Sequence, residues 1–207
     1  MIVLAGRNLA KMEAAKAELD ELGVESCLCK TGIADRAQVQ ALADDAASLG
    51  DVTQVIHTSS VSPSDTAMEN IMKINAAGTV NMVEAFYPVL AEGGMIINFS
   101  SVAAYTMSKK FVIYFTQKNV MRFAEKHCRI LSISPGCYLT PMHQKLIDNQ
   151  PETAENQLEL IPAGRWGHPY EMGALTAFLC SSGAGYINGV DILADGGQNA
   201  GIFVPQI

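Results

Sequence analysis

A tyrosine and a lysine four residues apart form the most chemically suggestive pair in this sequence. Tyr105 and Lys109 enclose the segment Y-T-M-S-K, which opens a predicted helix. Residues at positions i and i+4 share one helix face, so the phenol and the ammonium can point into one pocket. There the cation would lower the pKa of the phenol from about 10 toward neutral pH, as a general acid/base requires. Taken alone, the pair is a short motif that an ordinary helix can also contain.

Short apolar runs alternate with longer amphipathic runs along the chain, which is typical of βαβ units. This pattern predicts the α/β class: a doubly wound parallel sheet, or Rossmann fold, in a single domain over residues 1–207. The strands are predicted at Ile2–Ala5, Val24–Cys29, Val52–Thr58, Gly94–Phe99, Arg129–Ser134 and Val190–Leu193. The helices are predicted at Leu9–Leu22, Arg36–Leu49, Ile71–Leu90, Met107–Lys126 and Tyr170–Cys180. The segment 137–169 contains four prolines and is predicted to be an irregular substrate lid.

The carboxyl ends of the predicted strands carry small or polar residues. Ligands of doubly wound sheets bind beyond these ends, where the strand order reverses. The residues found there are Gly6-Arg7-Asn8, His57-Thr58-Ser59-Ser60, Ser100-Ser101 and Ser134-Pro135-Gly136. We therefore expect the chemistry at this edge of the sheet.

The composition favours one domain that binds a small ligand. Of the 207 residues 49% are hydrophobic, which suits a single domain with a sizeable core. The net charge of −7 and the lack of Lys/Arg runs argue against nucleic-acid binding. The five Cys lack CxxC spacing and the four His lack ligand spacing, so neither a disulfide framework nor a metal site is predicted. Without a membrane-length apolar run or a signal peptide, a cytoplasmic protein with no membrane contact is expected.

Several short motifs follow one another in an order that resembles the classical short-chain dehydrogenase/reductase family over nearly the whole chain. The segment 105–109 resembles the family's Y-x-x-x-K motif, with Ser before the Lys. I-N-A-A-G at 74–78 and I-N-F-S-S at 97–101 are similar to the segments that carry its catalytic Asn and Ser. S-P-G at 134–136 with T-P-M at 140–142 is similar to its cofactor loop, and segments 161–171, 186–189 and 195–197 resemble its C-terminal third.

The resemblance implies a catalytic set of Tyr105, Lys109, Ser101 and Asn75. Tyr105 would protonate the carbonyl oxygen or take the hydroxyl proton, while Lys109 would lower the phenol pKa and bind the nicotinamide ribose. Ser101, rather than Ser100, would donate to the substrate oxygen. Asn75 would hold a water that links Lys109 to solvent. Two alternatives stay open, namely that Asn75 satisfies backbone groups and that one of the serines is a turn hydroxyl.

The cofactor implied by the resemblance is a nicotinamide dinucleotide. Its site would be built from Arg7, Asn8, Ile33, Thr58, Ser59, Ser60, Tyr105, Lys109, Pro135, Gly136, Tyr138 and Thr140. Arg7 favours NADP over NAD, since a guanidinium can pair with the 2′-phosphate where an acidic residue would bind the ribose hydroxyl. A solvated surface Arg is the alternative. Gly136 lacks a Cβ, which lets the backbone approach a flat ring.

Two segments that the resemblance implies are missing. No glycine-rich turn of the T-G-x-x-x-G-x-G kind precedes Ile2, and the strand before that turn, central in a 3-2-1-4-5-6 order, is missing with it. We expect a hole there, because neighbouring strands should lie about 4.8 Å apart. Three residues separate Ser101 from Tyr105, fewer than is usual in the family, which we interpret as residues omitted before Tyr105. Consecutive Cα atoms much more than about 3.8 Å apart would reveal such a break.

These features predict an NADP(H)-preferring oxidoreductase that transfers a hydride between the nicotinamide and an alcohol/ketone substrate. Six apolar residues of the lid could contact a hydroxysteroid or another bulky secondary alcohol, or form the lid's own core: Met142, Leu146, Ile147, Leu158, Leu160 and Ile161. The alternative is a catalytically inert relative that binds a dinucleotide as a sensor or partner-binding protein. A ligand-free structural protein is disfavoured by the polar motifs at strand ends. A homotetramer or dimer is expected, built on the two long helices and the apolar tail 201–205.

Overall fold

The computed structural model describes residues 1–62, 66–102 and 107–203. The strands are β1 Ile2–Gly6, β2 Ser26–Lys30, β3 Val52–His57, β4 Leu90–Phe99, β5 Arg129–Pro135 and β6 Asp191–Ala194. The α-helices are α1 Leu9–Glu21, α2 Arg36–Leu49, α3 Met68–Ile71, α4 Gly78–Val89, α5 Met107–Lys118, α6 Val120–Ala124, α7 Pro141–Asn149, α8 Pro151–Glu159, α9 Pro169–Cys180 and α10 Gln198–Phe203. A π-helical stretch, Met72–Ala77, joins α3 to α4, and a 3₁₀ turn, Ser182–Ala184, follows α9. None of the helices in the described residues is long and apolar enough to span a membrane.

The strands pair in parallel, as the alternation of strands and helices predicts. β1 pairs in parallel with β2 along its whole length. β5 pairs in parallel with β6 over its last four residues. Parallel neighbours need a crossover, and helix α1 supplies it between β1 and β2. The predicted parallel α/β fold is confirmed.

The chain forms two compact units, of which the first comprises Met1–Ile96 and Arg122–Cys128. In this unit β1 lies beside β2, and β3 lies beside β4. Helix α2 packs against α4 and buries Val39 and Leu42. Helix α2 starts where it does because the carboxylate of Asp35 accepts hydrogen bonds from two backbone N–H groups of its first turn. The predicted amphipathic helix Arg36–Leu49 is therefore confirmed at both ends.

The first unit contains the hole that the sequence predicts. β1 and β2 form a sheet of their own, and no strand of the described chain lies between β1 and β3. A cavity of about 760 Å³ is found there, lined by Met1, by residues 2–5 of β1 and by residues 50–59 around β3. Leu42 of α2 and Met82 and Phe86 of α4 also line it. A strand position is thus left open inside an otherwise packed unit.

The second unit comprises Ile97–Met121 and Arg129–Ile207. The end of β4, then β5 and then β6 lie side by side in this unit. The apolar side chains of β5 are fully buried. Asp191 of β6 accepts hydrogen bonds from the hydroxyls of Ser132 (2.6 Å) and Ser134 (2.7 Å) of β5. These bonds let three polar side chains lie between the two strands without an unsatisfied group.

The helix predicted at Ile71–Leu90 is wrong as a single regular helix. Ile71 ends α3, Met72–Ala77 is π-helical, and the α-helix resumes over Gly78–Val89. The hydroxyl of Thr79 donates to the carbonyl of Asn75 (2.7 Å), an i to i−4 bond that competes with the backbone pattern. π-helical turns inside helices occur frequently at functional sites. Leu90 belongs to the following strand rather than to the helix.

The helix predicted at Met107–Lys126 is wrong in its continuity, because it stops at Lys118 and resumes at Val120. Asn119 lies at the break and is buried. Its side-chain amide donates to the carbonyl of Phe115 (2.8 Å), and its backbone N–H bonds to Thr116 (3.2 Å) instead. The side-chain amide of Asn119 therefore bonds to the Phe115 carbonyl, which in a continuous helix would accept from the backbone N–H of Asn119.

The prediction of an irregular lid at 137–169 was wrong for two segments, which form the nine-residue helices α7 and α8. Each helix has a proline, Pro141 or Pro151, at its start. Proline is favoured in the first helical turn because its missing N–H would have no partner there. The sequence interpretation treated these prolines as interruptions, whereas they begin helices.

Candidate active site

The carboxyl end of β4 is tied to the first turn of α5 by Ser100. The backbone N–H of Ser100 donates to the carbonyl of Ile133 on β5 (2.7 Å), and its hydroxyl donates to the carbonyl of Lys109 (2.9 Å). The side chain of Ser100 is buried. Its hydroxyl therefore holds the helix to the strand end, which favours the neighbouring, half-buried Ser101 as the serine for a substrate.

Lys109 lies at this strand end with its ammonium largely desolvated. Its Nζ donates to the carbonyl of Phe99, the last residue of β4, at 3.2 Å. Burial lowers the pKa of Lys109 to about 8. The side chain thus remains mostly protonated at neutral pH. Because its surroundings have a lower dielectric constant than water, its charge interacts more strongly with nearby groups. A cation so placed can stabilise an adjacent phenolate.

Tyr105 lies outside the described residues, as do the neighbouring positions 103, 104 and 106. The described part of α5 begins at Met107, so the geometry of the Tyr105–Lys109 pair stays a prediction. The same holds for the chain break predicted between Ser101 and Met107.

Pro135 and Gly136 lie at the end of β5, next to the chain that leaves β4. The carbonyl of Pro135 accepts from the N–H of Val102 (3.1 Å), and the N–H of Gly136 donates to the carbonyl of Ala194 (2.8 Å). A Cβ on Gly136 would lie 2.6 Å from the Cα of Asp195. Glycine is therefore required here because the backbone of Asp195 lies so close to it. Pro135 therefore lies beside Val102, the residue that follows Ser101.

Tyr138 and Thr140, predicted to bind the cofactor, have structural contacts. The ring of Tyr138 lies against Gly167, where a Cβ would be only 2.6 Å from the ring. Burial raises the pKa of the Tyr138 phenol. The hydroxyl of Thr140 accepts from the N–H of His143 (3.3 Å) and so caps α7. A cavity of about 100 Å³ lies beside Tyr138, between Cys137, Arg165, Glu171 and Asp195.

Asn75 is buried in the π-helical stretch of the first unit. Its side-chain oxygen accepts from the N–H of Val61 (2.9 Å), and its side-chain nitrogen donates to the carbonyl of the same residue (2.9 Å). These two hydrogen bonds hold Val61, in the loop that follows β3, against Asn75. The observed contacts match the alternative in which Asn75 satisfies backbone groups, and its role in a proton relay stays a prediction.

A buried histidine and threonine near Asn75 were not assigned a role from the sequence. Nε2 of His57, the last residue of β3, lies 3.2 Å from the hydroxyl of Thr79. That hydroxyl donates to the carbonyl of Asn75. The signal that could have found Thr79 is its position four residues after Asn75, where a Ser or Thr hydroxyl can bond the carbonyl one turn earlier.

The residues predicted on the adenosine side lie at the ends of β1 and β2. Arg7 is exposed, and its stem runs beside Gly32, where a Cβ would lie 3.8 Å from the Arg7 Cδ. The Asn8 side chain accepts from the N–H of Lys11 (3.1 Å) and caps α1. The carbonyl of Ile33 accepts from the side chain of Asn81 (2.9 Å).

The three residues predicted after β3, Thr58, Ser59 and Ser60, are all exposed. Thr58 and Ser59 line the 760 Å³ cavity. Within the first unit the cavity thus adjoins the polar end of β3.

The lid residues divide between the two roles considered for them. Ile161 is 4% exposed and belongs to the packed interior, whereas Met142 is 60% exposed and Leu160 50%. Ile161 is therefore a packed residue, and Met142 is the most exposed of the six apolar lid residues.

An ion pair at the start of α9 was not predicted. Arg165 donates two hydrogen bonds to the Glu171 carboxylate, at 2.7 and 2.9 Å. Glu171 also accepts from the backbone N–H of His168 (2.7 Å), which precedes the helix. The guanidinium of Arg165 and then the His168 N–H hold the pKa of Glu171 at about 2. The sequence signal was a Glu three residues after a helix-capping position, preceded by Pro at the first turn.

Replacing Glu171 by Gln is expected to make the protein less sensitive to acid between about pH 4.5 and pH 2. The folded pKa is lower than the usual value of 4.5, so the unfolded state binds more protons in this window. The contribution to stability is complete above pH 4.5 and is lost as the pH falls toward 2. Melting temperatures at pH 6 and pH 3 should differ more for the wild type than for Glu171→Gln. Glu155→Gln, on the exposed face of α8, is the control, and equal pH dependence of both variants would contradict the assignment.

The chain was found to be similar to known proteins over nearly its whole length. The family profile described as Enoyl-(Acyl carrier protein) reductase matches residues 1–199. D-threitol dehydrogenase of Mycolicibacterium smegmatis is 33% identical over 184 residues, which cover 80% of this chain and 70% of that protein. Short-chain dehydrogenase/reductase bsc3 of Alternaria brassicicola is 25% identical over 239 residues, which cover 96% of this chain and 87% of bsc3. That alignment is longer than this chain, so bsc3 has internal residues without counterparts here.

Several other curated relatives are matched over 53–55% of their own length. Among solved structures, a double mutant of a Serratia marcescens short-chain dehydrogenase/reductase superimposes with a TM-score of 0.86 at 21% identity. The match covers 95% of this chain and 86% of that one. At this identity the likeness establishes the fold.

Proposed function

Because the chain belongs to the short-chain dehydrogenase/reductase family, we propose that it interconverts an alcohol and a ketone with NADP(H), using Tyr105 as the general acid/base. The predicted family and oxidoreductase class are confirmed, since the family profile matches residues 1–199 and the relatives are named dehydrogenases and reductases. The preference for NADP(H), the residue roles and the substrate class are the content of the proposal.

The observation that supports the proposal most is the environment of Lys109. Its ammonium is desolvated at the end of β4 and lies four positions after Tyr105. During ketone reduction, the Tyr105 hydroxyl gives its proton to the carbonyl oxygen, and Lys109 stabilises the phenolate that forms. The Ser101 hydroxyl donates a hydrogen bond to the same oxygen. In alcohol oxidation the phenolate takes the hydroxyl proton instead.

The residues present fit two parts of a dinucleotide. Bound NADP(H) would supply or accept the hydride at its nicotinamide ring. Lys109 would bind the nicotinamide ribose, and Arg7, exposed and in none of the ion pairs of the described residues, would bind the 2′-phosphate. Residues 1–207 contain no glycine-rich turn of the T-G-x-x-x-G-x-G kind, so the proposal concerns the nicotinamide ribose and the 2′-phosphate.

The experiment that tests the proposal follows oxidation of NADPH and NADH by a panel of ketones that includes steroid ketones and small polyol ketones. Turnover with NADPH and a bulky ketone is expected, because Met142 and Leu160 leave exposed apolar surface on the lid. Binding of NADPH without turnover of any ketone would instead support the inert, dinucleotide-binding alternative.

Replacing Arg7 by Asp is expected to lower the ratio of kcat/KM with NADPH to kcat/KM with NADH by roughly 10-fold or more. A charge-assisted hydrogen bond is worth about 1.5–3 kcal/mol, and a carboxylate repels the 2′-phosphate. The ratio of kcat/KM for the two cofactors measures this change. Arg36→Asp makes the same change of charge at an exposed position of α2 and should leave the ratio unaltered. An unaltered ratio in Arg7→Asp would identify Arg7 as a solvated surface residue.

We also propose a homo-oligomer built on the face of α5 and α6 that carries exposed apolar side chains. Met107 is 77% exposed, Tyr114 60% and Met121 78%. These three residues recur at intervals of seven, and a contiguous exposed apolar patch marks an interaction surface. Size-exclusion chromatography of the wild type and Tyr114→Lys tests this, since the variant should elute later.

A further inference from the structure

Two consecutive residues at the end of β4 bond to the backbone and to the side chain of one lysine. The hydroxyl of Ser100 donates to the main-chain carbonyl of Lys109 (2.9 Å), and the Lys109 Nζ donates to the carbonyl of Phe99 (3.2 Å). The backbone and the ammonium of Lys109 are therefore attached to the same short stretch of chain. A displacement of α5 at this point would disturb both contacts together.

Ser100 is itself held in place by β5, the neighbouring strand. Its backbone N–H donates to the carbonyl of Ile133 (2.7 Å), and the N–H of Val102 donates to the carbonyl of Pro135 (3.1 Å). Ser100 is buried, and Ile133 is fully buried. The Ser100 hydroxyl thus starts from a fixed point in the packed interior. If its bond to Lys109 is lost, we expect the helix to move rather than the strand.

A second hydrogen bond joins β4 to α5, but it lies far from Lys109. The side-chain amide of Asn98 donates to the hydroxyl of Thr116 (3.1 Å), and both residues are fully buried. Asn98 and Ser100 are two residues apart, so their side chains lie on the same face of the strand. Thr116 follows Lys109 by seven residues, about 10 Å along the helix axis. Of these two bonds, that of Ser100 is the one at the turn that carries Lys109.

The position of the Lys109 ammonium determines how strongly it acts on a neighbouring group. Burial lowers the pKa of Lys109 to about 8, so this value depends on how well the ammonium is kept from water. An ammonium that reaches solvent has a higher pKa. Because water screens its charge, it also lowers the pKa of a phenol beside it less. A movement of α5 that exposes Lys109 would therefore raise the pKa of the lysine and that of the phenol.

We propose that Ser100 is a positioning residue of the reaction: its hydroxyl fixes the first turn of α5 to the end of β4 and thereby holds the Lys109 ammonium in its buried place. This inference rests on the proposed function, in which Lys109 acts on Tyr105. The two adjacent serines then have different tasks, since Ser101 bonds to the substrate oxygen and Ser100 bonds to the protein's own helix. Ser100 acts through Lys109 and does not have to touch the substrate or the cofactor.

The direct test measures the pKa of Lys109 by NMR, from the lysine ¹³Cε chemical shifts as a function of pH, with Lys109→Arg to assign the signal. In Ser100→Ala the pKa of Lys109 is expected to rise by at least about one unit, toward the ordinary lysine value of about 10.4. Ser100→Cys replaces the hydroxyl by a thiol, a weaker donor, and a smaller rise in the same direction is expected. A wild-type pKa of Lys109 in the folded variants would overturn the inference, whatever their activity.

Ser132→Ala is the matched control for the loss of a buried hydroxyl. Ser132 is a fully buried serine of β5 in the same unit, and its hydroxyl donates to the Asp191 carboxylate (2.6 Å). This variant should lower the melting temperature and leave the pKa of Lys109 unchanged. An equal rise of the Lys109 pKa in Ser100→Ala and Ser132→Ala would be a general effect of destabilisation and would overturn the inference.

A kinetic measurement separates this inference from the proposed function. If the phenol pKa rises by about one unit, the phenolate fraction at neutral pH falls about tenfold. In Ser100→Ala, kcat for alcohol oxidation at neutral pH should therefore fall by about that factor, with little change in KM for the alcohol. If the pKa of Lys109 rises while kcat and its pH profile stay those of the wild type, the attachment of Lys109 by Ser100 is supported and the proposed action of Lys109 on Tyr105 is wrong. A lower kcat with an unchanged pKa of Lys109 would show that Ser100 acts by another route, against the inference.

Discussion

Replacing Tyr105 by Phe is expected to lower kcat/KM by about 10²–10⁴-fold, the usual contribution of a positioned general acid/base. The variant keeps the ring and removes only the hydroxyl that exchanges a proton with the substrate oxygen. Binding of NADPH, measured by fluorescence titration, should change much less, because Tyr105 is only one of the residues predicted to contact the cofactor and the others are kept. The loss should therefore appear in kcat rather than in cofactor affinity.

Tyr114→Phe is the matched control, since Tyr114 is an exposed tyrosine on α5. This variant should keep the wild-type kcat/KM. If Tyr105→Phe turned over at the wild-type rate, the phenol would be removed from the mechanism and another acid would have to be sought near Lys109.

Replacing Gly136 by Ala is expected to destabilise the second unit by about 3 kcal/mol, at the upper part of the range for overpacking. The new Cβ would lie 2.6 Å from the Cα of Asp195 and 2.8 Å from its Cβ. Relief requires moving backbone, and the Asp195 carboxylate also accepts hydrogen bonds from the N–H groups of Gly197 and Asn199. A fall in melting temperature of about 6–12 °C is expected for a chain of this size.

Gly173→Ala is the control for this substitution. Gly173 lies inside α9, and apart from its chain neighbours and the backbone of the helix itself no described atom lies within 4 Å of the position where its Cβ would be. Alanine in a helix interior is about 0.5–1 kcal/mol more favourable than glycine, so the melting temperature should rise slightly. If Gly136→Ala melted at nearly the wild-type temperature, the backbone at Asp195 would be able to move away from the new Cβ at little cost, against this prediction.

The strands could be predicted because their sequences are short apolar runs with few competing signals. β5 and β6 illustrate this, as their boundaries differ from the predicted ones by a residue at most. The hole beside β1 was also predictable, because β1 and β3 each have a described partner on one side and the strand position between them is open.

The interruptions of the helices could not be predicted from periodicity. They depend on single side chains, the hydroxyl of Thr79 and the amide of Asn119, which bond to backbone carbonyls only in the folded chain. The periodicity of apolar residues indicates which face of a helix is buried. It does not indicate where a side chain will form a hydrogen bond with a carbonyl of the helix backbone.

Residue type alone did not indicate which contacts the predicted site residues would make. Asn75 and Ser100 are buried, and the side chains of both form hydrogen bonds with backbone groups. Asn8 and Thr140 likewise cap helices. A polar residue at a strand end serves the fold or a ligand, and its hydrogen-bond partners decide between these roles only when tertiary contacts are known.

The central claim is that Lys109 supplies the charge that brings the Tyr105 phenol to a working pKa. It is tested by the pH dependence of kcat/KM for alcohol oxidation, which should rise with ionisation of the Tyr105–Lys109 pair. Because the pKa of Lys109 is about 8, the lysine is mostly charged at neutral pH and can act on the phenol there.

In Lys109→Met the apparent pKa of this profile should move upward by at least about one unit, toward the ordinary phenol value near 10. Lys110→Met, at the exposed neighbouring position, should leave the profile unchanged. A Lys109→Met profile that coincides with the wild type would contradict the account.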